Sequence, residues 1–464
     1  MQLSADEGAR RVRAAVSPAA RRVAERLRAA GHRTVFVGGG VRDALLGRPV
    51  AGHWDLGTAA TPAEMQAIFP AAVPTGLAHG TITLPVEGEL VEITTFRREG
   101  TYSDARRPDA VFFLRELGPD LERRDFTVNA IAYDPETEAL VDTTGGLADL
   151  AAGLLRAVGA PSQRFAEDAL RALRAARFVS TLGFAVEPGT RAALPGVAPL
   201  LPQLSAERVH QELDRLLLGE RPDLGLELLR ESDLLPGLVP ELQACVGVAQ
   251  NRYHAYDVYR HTLETVRAAV ARRRVRWSAL GHDLGKPMTR AEREDGEGTF
   301  YGHAQVGAEI TDRLLDRLRF SRVERQAIVH LVREHLFDYT SDWSDAAVRR
   351  FLRRVGEEHL EDLFALREAD IAGTGLPGDT SSMRALQARI ESLRATKLAL
   401  SVRDLAVDGE DLMRALGVPP GPIVGSILQQ LLEEVLEEPA RNEKPRLLQR
   451  AAELARAAET GPNG

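Results

Sequence analysis

The chain has 464 residues, 44% hydrophobic and 27% charged, with a formal net charge of -8 at pH 7. That length suits roughly three domains, and the composition is that of a soluble globular protein rather than a disordered or fibrous one. The negative total excludes a protein coated in basic residues but leaves room for a local basic patch that meets nucleic acid. No apolar run approaches the ~18 residues of a membrane span, and residues 1–18 lack the apolar core of a secretory signal. The single cysteine, Cys245, cannot form an internal disulfide. Together these features give a cytoplasmic location as the expectation. Few aromatics and abundant Ala and Arg predict a mostly helical chain.

Residues 18–31 carry apolar positions at helical spacing and stop at Gly31. "TVFVGGGVRDALLG" then reads as strand, glycine turn and helix. Gly38 and Gly39 stand where the backbone can approach a phosphate, although many such turns are glycine-rich for steric reasons only. Asp55 follows in a short apolar–polar alternation, as if on a strand edge. His53 occupies the place where a second carboxylate would complete a pair. "HGTITLPV", "LVEITTFR" with Glu92, "AVFFL", "AIAYD" and "LVD" read as further strands. The first 160 or so residues are therefore mixed α/β. Within them, "ERRDFTVNAIAY" sets Arg123, Arg124 and Asp125 before an apolar run that contains Asn129.

From Ser162 strand signals nearly vanish. "AEDALRALRAARFVSTL", "SAERVHQELDRLLLG" and "DLGLELLRES" read as amphipathic helices. Asp168 and Arg171 stand three apart, on one helical face. Such a pair offers an acceptor and a donor that could read the edge of a base, while its commoner use is an exposed ion pair. "ELQACVGVAQNRYHAY" reads as a joint into a second helical block, about 251–375, followed by the loop "AGTGLPGDTSS" and a last block from 376 to 464. In that last block "GVPPGPIVGSIL" suggests a helix start that meets RNA backbone or simply packs on its neighbour.

The second block carries His261, the adjacent pair His282 and Asp283, then His303, His335 and Asp370. Neutral imidazoles and carboxylates in this number suit Mn, Fe, Ni or Zn. A lone His on a helix is usually structural; four His with two Asp in this order point to a metal centre. "DLGKP" ends a helix so that His282 and Asp283 can face one point. His254 and His330 are assigned no role.

The order of "GGGVRD", "WDLGT", "HGTITL", "EITTFRREGTYSDARRPDAVFF", "ERRDFTVNAIAY" and "EDALRALRAARF" resembles the successive motifs of class II tRNA nucleotidyltransferases (CCA-adding enzymes) and the related bacterial poly(A) polymerases. The resemblance implies an α+β fold: a nucleotidyltransferase head (1–160) of mixed sheet and helices, then an all-α neck (161–250), body (251–375) and tRNA-binding tail (376–464). It implies tRNA, CTP and ATP as partners, and addition of C and/or A to the tRNA 3′ hydroxyl. Asp55 and Glu92 would be catalytic and hold Mg²⁺ or Mn²⁺. Gly38 and Gly39 would cradle the triphosphate beside Arg42 and Asp43. Arg124, Asp168, Arg171 and Arg174 would bind nucleotide, and Asp125 the ribose. The family carries Asp-x-Asp where this chain has His53-Trp54-Asp55. Three readings follow: impaired transfer, use of a softer ion such as Mn²⁺, or compensation by Asp43 or Glu92.

The histidine-rich block resembles the HD phosphohydrolase superfamily. His261, His282, Asp283 and Asp370 match its core ligands, His303 and His335 the extra ligands of two-metal members, and Lys286 the basic position after the pair. A transition metal (Mn, Fe, Ni or Zn) and phosphoester hydrolysis are the implied cofactor and activity. A phosphohydrolase whose head only binds RNA or nucleotide, a poly(A) polymerase, and a CC-only or A-only enzyme stay open as alternatives.

Overall fold

The computed structural model describes residues 4–50, 52–100, 110–294, 297–394 and 401–460. Part of the motif run between Glu92 and Phe113, residues 101–109, lies outside them. The chain divides into two compact units between Gln243 and Ala244, with residues 317–319 joining the first.

The first unit opens with helices Ala5–Ala15 and Pro18–Ala29. Ser4 and Ser17 cap them by accepting from Glu7 N–H and Ala20 N–H, which satisfies otherwise orphaned donors of the first turn. Nine strands follow: β1 (Thr34–Val37), β2 (His53–Thr58), β3 (Val73–Gly76), β4 (Thr81–Val86), β5 (Glu89–Thr95), β6 (Arg97–Glu99), β7 (Val111–Phe113), β8 (Ile131–Asp134) and β9 (Ala139–Asp142). Seven of them form one mixed sheet in the order β3-β4-β5-β2-β1-β8-β9. β6 and β7 make a separate antiparallel pair. The pairing of β2 with β5 is parallel and that of β2 with β1 antiparallel. β2 is thus the middle strand, not an edge. The short β3, whose residues are largely exposed, carries no apolar alternation and so left no strand signal. Val35, Val37, Phe96, Leu117, Leu121, Ala130 and Ala132 pack into one core cluster of this unit.

After these nine strands helices take over without a break in packing, apart from a short parallel pair, Leu154–Leu155 with Ala185–Val186. Ala157 N–H donates to Thr190 Oγ1 at 3.0 Å, and Arg174 on the helix Leu170–Leu182 reaches back to Asp125. The helix Ala206–Leu217 packs on Leu170–Leu182.

Among its described residues the second unit is helical apart from a ribbon of two two-residue strands, Ala291–Glu292 with Gly298–Thr299. Helices Val258–Ala268, Arg273–Gly281, His303–Arg317, Arg322–Glu334 and Glu357–Gly373 surround a histidine cluster. Toward its C-terminus, Leu412, Ile427, Leu431, Leu436, Leu447 and Ala451 from helices Gly409–Leu416, Pro422–Glu437 and Lys444–Thr460 form a dry core of their own. Both units together make an α+β chain. No helix among the described residues is long and apolar enough to cross a membrane.

Candidate functional site

The sheet builds the first site. Side chains alternate across a strand, so His53 and Asp55 share a face of β2 while Trp54 points to the other and is buried. Parallel register sets Glu92 of β5 directly beside Asp55. One ligand atom from each of His53, Asp55 and Glu92 lies within 4.8 Å of the others. His53 Nε2 stands 3.4 Å from Asp55 Oδ1, and the two side chains keep 51% and 37% exposure. The hydrogen bond to Asp55 raises the His53 pKa. Burial, with the nearby Asp55 charge, raises that of Glu92. Two carboxylates and an imidazole, half open to solvent, are a donor set that fits a divalent cation.

Gly38 packs against Asp55. It has φ +82°, and a Cβ there would lie 3.0 Å from Asp55 Oδ2 and 3.3 Å from Arg124 Nη1. The same turn brings Gly40 onto the face of Trp54, so near that a Cβ would sit 2.9 Å from the ring. Gly39 begins the helix Gly39–Leu45 that carries Arg42. Arg42 holds Asp43 at 2.9 and 2.7 Å and donates to Asn129 Oδ1 at 2.6 Å. Asp43 therefore stands paired, outside the His53–Asp55–Glu92 group.

A polar network extends from Arg42 into the helical part. Asn129 Nδ2 donates to Asp125 Oδ1 at 3.0 Å, Phe126 N–H to the same oxygen at 2.8 Å, and Arg174 Nε to Oδ2 at 2.7 Å. Burial works against the Asp125 charge, but Arg174 and Asn129 outweigh it and hold the carboxyl well below the usual range. Arg42, Arg174 and Arg177 gather around the Phe178 ring at 5.1, 5.6 and 4.0 Å from its centroid. Arg177 also pairs with the buried Glu212 at 2.6 Å. Arg124 leans on Asp120 at 3.3 Å, and its Nε is buried without a hydrogen-bond partner among the described residues.

Asp168 and Arg171 do not share a helical face. The helix Pro161–Glu167 ends at Asp168, which is extended (φ −144°, ψ 105°), and a new helix starts at Leu170. Asp168 Oδ1 accepts from Leu170 N–H at 3.1 Å and Oδ2 from Arg208 Nη2 at 2.8 Å. Arg171 instead donates to Glu167 at 2.6 Å and to the carbonyls of Arg164 and Arg123 at 2.9 and 3.2 Å. The combined edge expected from the spacing is thus split in this state, because the chain breaks between the two residues. Arg208 went unsingled in the sequence. Its signal was the i, i+4 repeat with Glu212 in "SAERVHQELDRLLL", which puts both on one face.

The second site lies wholly in the second unit. His261 Nε2 is 3.1 Å from His282 Nε2, 3.2 Å from Asp283 Oδ2 and 3.1 Å from Asp370 Oδ1. His303 Nε2 is 3.4 Å from Asp283 Oδ1. Two ligand groups emerge, His261 with His282 and Asp283, and His303 with His335 and Asp283, so Asp283 belongs to both. His282, His303 and His335 donate Nδ1–H to the carbonyls of Ala279, Phe300 and Val332 at 2.8, 2.7 and 2.7 Å. Those bonds fix the tautomer and aim each Nε2 inward, as metal-ligating imidazoles require. Lys286 Nζ reaches Asp283 at 2.7 Å, and Arg367 reaches Asp370 at 2.6 Å.

Burial drives His335 down to about 3. Burial opposes charge on His282 too, yet Asp283 and Asp370 raise it to about 10. A cavity of about 560 Å³ opens over the cluster, lined in part by His254, Lys286, Arg252, Arg293 and Arg367. His254, left without a role above, meets the His261 ring edge-on at 4.9 Å. It precedes the helix that carries His261, so helical periodicity could not tie the two together. His330 instead pairs with His359 at 4.9 Å.

Three family models match the chain: "Poly A polymerase head domain" over residues 34–156, "Probable RNA and SrmB- binding site of polymerase A" over 183–245, and "tRNA nucleotidyltransferase domain 2 putative" over 300–451. The chain is 36% identical to the CCA-adding enzyme of Limosilactobacillus fermentum, over 94% of this chain and 97% of that one. It is 34% identical to the enzyme of Geobacillus stearothermophilus, over 92% and 94%. The crystal structure of the Bacillus stearothermophilus CCA-adding enzyme in complex with CTP superposes with a TM-score of 0.72 at 30% identity, covering 96% of this chain and all (100%) of that one. The Thermotoga maritima CCA-adding enzyme complexed with tRNA shares the fold at 20% identity and a TM-score of 0.58, over 96% and 98%. Similarity at this level along nearly the whole chain, with a paired aspartate and glutamate beside a glycine turn, means that the protein belongs to the family of class II tRNA nucleotidyltransferases, the CCA-adding enzymes.

Proposed function

We propose that this protein adds C and A from CTP and ATP to the 3′ hydroxyl of tRNA. The observation that carries the reading is the register of β2 on β5, which sets Asp55, packed against Gly38, beside Glu92. Mg²⁺ or Mn²⁺ held by Asp55 and Glu92 would make the hydroxyl a better nucleophile and offset triphosphate charge. The Gly38–Gly39 backbone lets the phosphates come close. Arg42 stands beside them, and Arg124 faces the pocket through Nη1. Asp168, held by Arg208, and Arg171 would read the base once a nucleotide's own acceptor replaces Glu167 on Arg171. Asp125, whose oxygens are engaged by Asn129, Phe126 and Arg174, positions that wall. Alignment and charge stabilisation supply most of the acceleration in such a transfer. The helical residues after 376 would hold the tRNA.

The second unit supports an added activity, metal-dependent phosphoester hydrolysis. His261, His282, Asp283, His303, His335 and Asp370 would hold Mn, Fe, Ni or Zn, which supplies the Lewis acidity for hydrolysis. Lys286, Arg252 and Arg367 line the cavity above and suit an anionic substrate.

Both activities are tested on one preparation. Labelled CTP and ATP are offered with tRNA lacking its 3′ end, with Mg²⁺ and then Mn²⁺, and product length is read. The expected result is addition that stops at CCA and is lost in Asp55→Ala, with ester hydrolysis lost only in His282→Ala. Incorporation with neither ion, while hydrolysis persists, would leave a phosphohydrolase with a nucleotide-binding head. Long homopolymers from ATP alone would indicate poly(A) addition.

A further inference from the structure

We propose that His53 is itself a ligand, so that the head's cation pocket is a His–Asp–Glu set selecting Mn²⁺ and similar transition ions over Mg²⁺. The inference rests on the reading of Asp55 and Glu92 as cation ligands and goes beyond it by assigning the third donor and the ion.

Four observations carry it. The period of β2 leaves His53 no choice of side: Trp54 is buried and fixed by the Gly40 contact, so the flanking His53 and Asp55 share the opposite face. The atom turned toward Asp55 is Nε2, at 3.4 Å. That nitrogen, an Asp55 oxygen and a Glu92 oxygen lie within 4.8 Å of one another. Donor atoms this near one another are within reach of a single ion. Finally, Asp43, a carboxylate that could have restored an all-oxygen pair, is occupied by Arg42.

The chemistry of this donor set differs from two aspartates and a glutamate in two ways. An imidazole in place of a carboxylate removes one negative charge, which weakens binding of any dication. Nitrogen is also a poor ligand for Mg²⁺, a hard ion that demands oxygens, and a good one for Mn²⁺ and the later transition ions. Both effects lower Mg²⁺ affinity, and only the first lowers Mn²⁺ affinity. The net result is selectivity, not loss of the site. The exposure of His53 and Asp55 keeps the remaining coordination positions open to water and phosphate oxygens.

The test measures binding and needs no turnover. Full-length protein is titrated with Mn²⁺, the free ion being followed by electron paramagnetic resonance, and Mg²⁺ is used as competitor. The background is Asp283→Ala, which removes the carboxylate common to both halves of the second cluster. We expect His53→Asp to tighten Mg²⁺ and lower the Mn²⁺/Mg²⁺ preference about tenfold, since an exposed side chain is being changed. Nitrogen modulation on bound Mn²⁺ should weaken or vanish in His53→Ala. If the Asp283→Ala background does not fold, Mn²⁺ sites are counted in the parent and in His53→Ala, where one fewer is expected. An unchanged ion preference in His53→Asp, or unchanged nitrogen modulation and site number in His53→Ala, would overturn the proposal. The two readings fail separately. Transfer to tRNA with no imidazole on the ion defeats this inference alone, and imidazole coordination without transfer defeats the proposed function alone.

Discussion

Gly38 shows how much one residue can determine here. Its φ of +82° is one that L side chains rarely adopt, and a Cβ would press on Asp55 Oδ2 at 3.0 Å. Adding a methyl group costs about 1–2 kcal/mol in backbone strain and moves the carboxylate away from its partners. Gly38→Ala is expected to lower kcat/KM for CTP and ATP by about 100-fold, the scale of an ångström-sized misplacement, with little change in tRNA affinity. Steady-state kinetics beside a tRNA gel-shift checks this, and an equal loss of tRNA binding would show that the turn serves something else. The glycine was legible in the sequence. Its contact with Asp55 was not, because 16 residues of chain, including a helix, lie between the two.

At the scale of elements, the break at Asp168 is the instructive case. "EDALRALRAARF" has unbroken helical spacing, so periodicity alone runs one helix through Asp168 and Arg171. The structure ends one helix at Glu167 and begins another at Leu170, and Asp168 turns to Arg208 on the helix Ala206–Leu217. A short polar residue that bonds the backbone two positions on, as Asp168 does with Leu170 N–H, competes with helix continuation. If Arg208 orients this carboxylate, Arg208→Ala should reduce kcat/KM for both nucleotides about tenfold, a loss of about 1.4 kcal/mol. Arg208→Lys should recover part of that loss. Nucleotide kinetics on the pair decides it, and identical losses in Ala and Lys would point to packing of the helix instead.

Among the described residues, two clusters of His, Asp and Glu side chains that could hold a cation lie in the two compact units, one on a sheet and partly exposed, one among helices and buried. Buried His and Asp held without a metal oppose folding through desolvation, so an ion should stabilise the second unit by mass action. At ~100 times its Kd the gain is about 2.7 kcal/mol, or roughly 5–10 °C in Tm for a unit of this size. Calorimetry of protein stripped by chelator and then given Mn²⁺ or Ni²⁺ should show that rise in the parent and lose it in His282→Ala. An equal rise in both would place the stabilising ion elsewhere.

By itself the sequence determined the α+β order of the elements and the glycine turn, and it marked the histidines and carboxylates as candidates. Those rest on local periodicity, turn chemistry and motif order, all written along the chain. Only the tertiary structure decided that β2 is a middle strand with His53 on the face of Asp55, that Asp168 and Arg171 part company, and that Asp283 is shared between two ligand groups. Each depends on strand register or on helices that meet from distant parts of the chain, and neither leaves a mark on neighbouring residues.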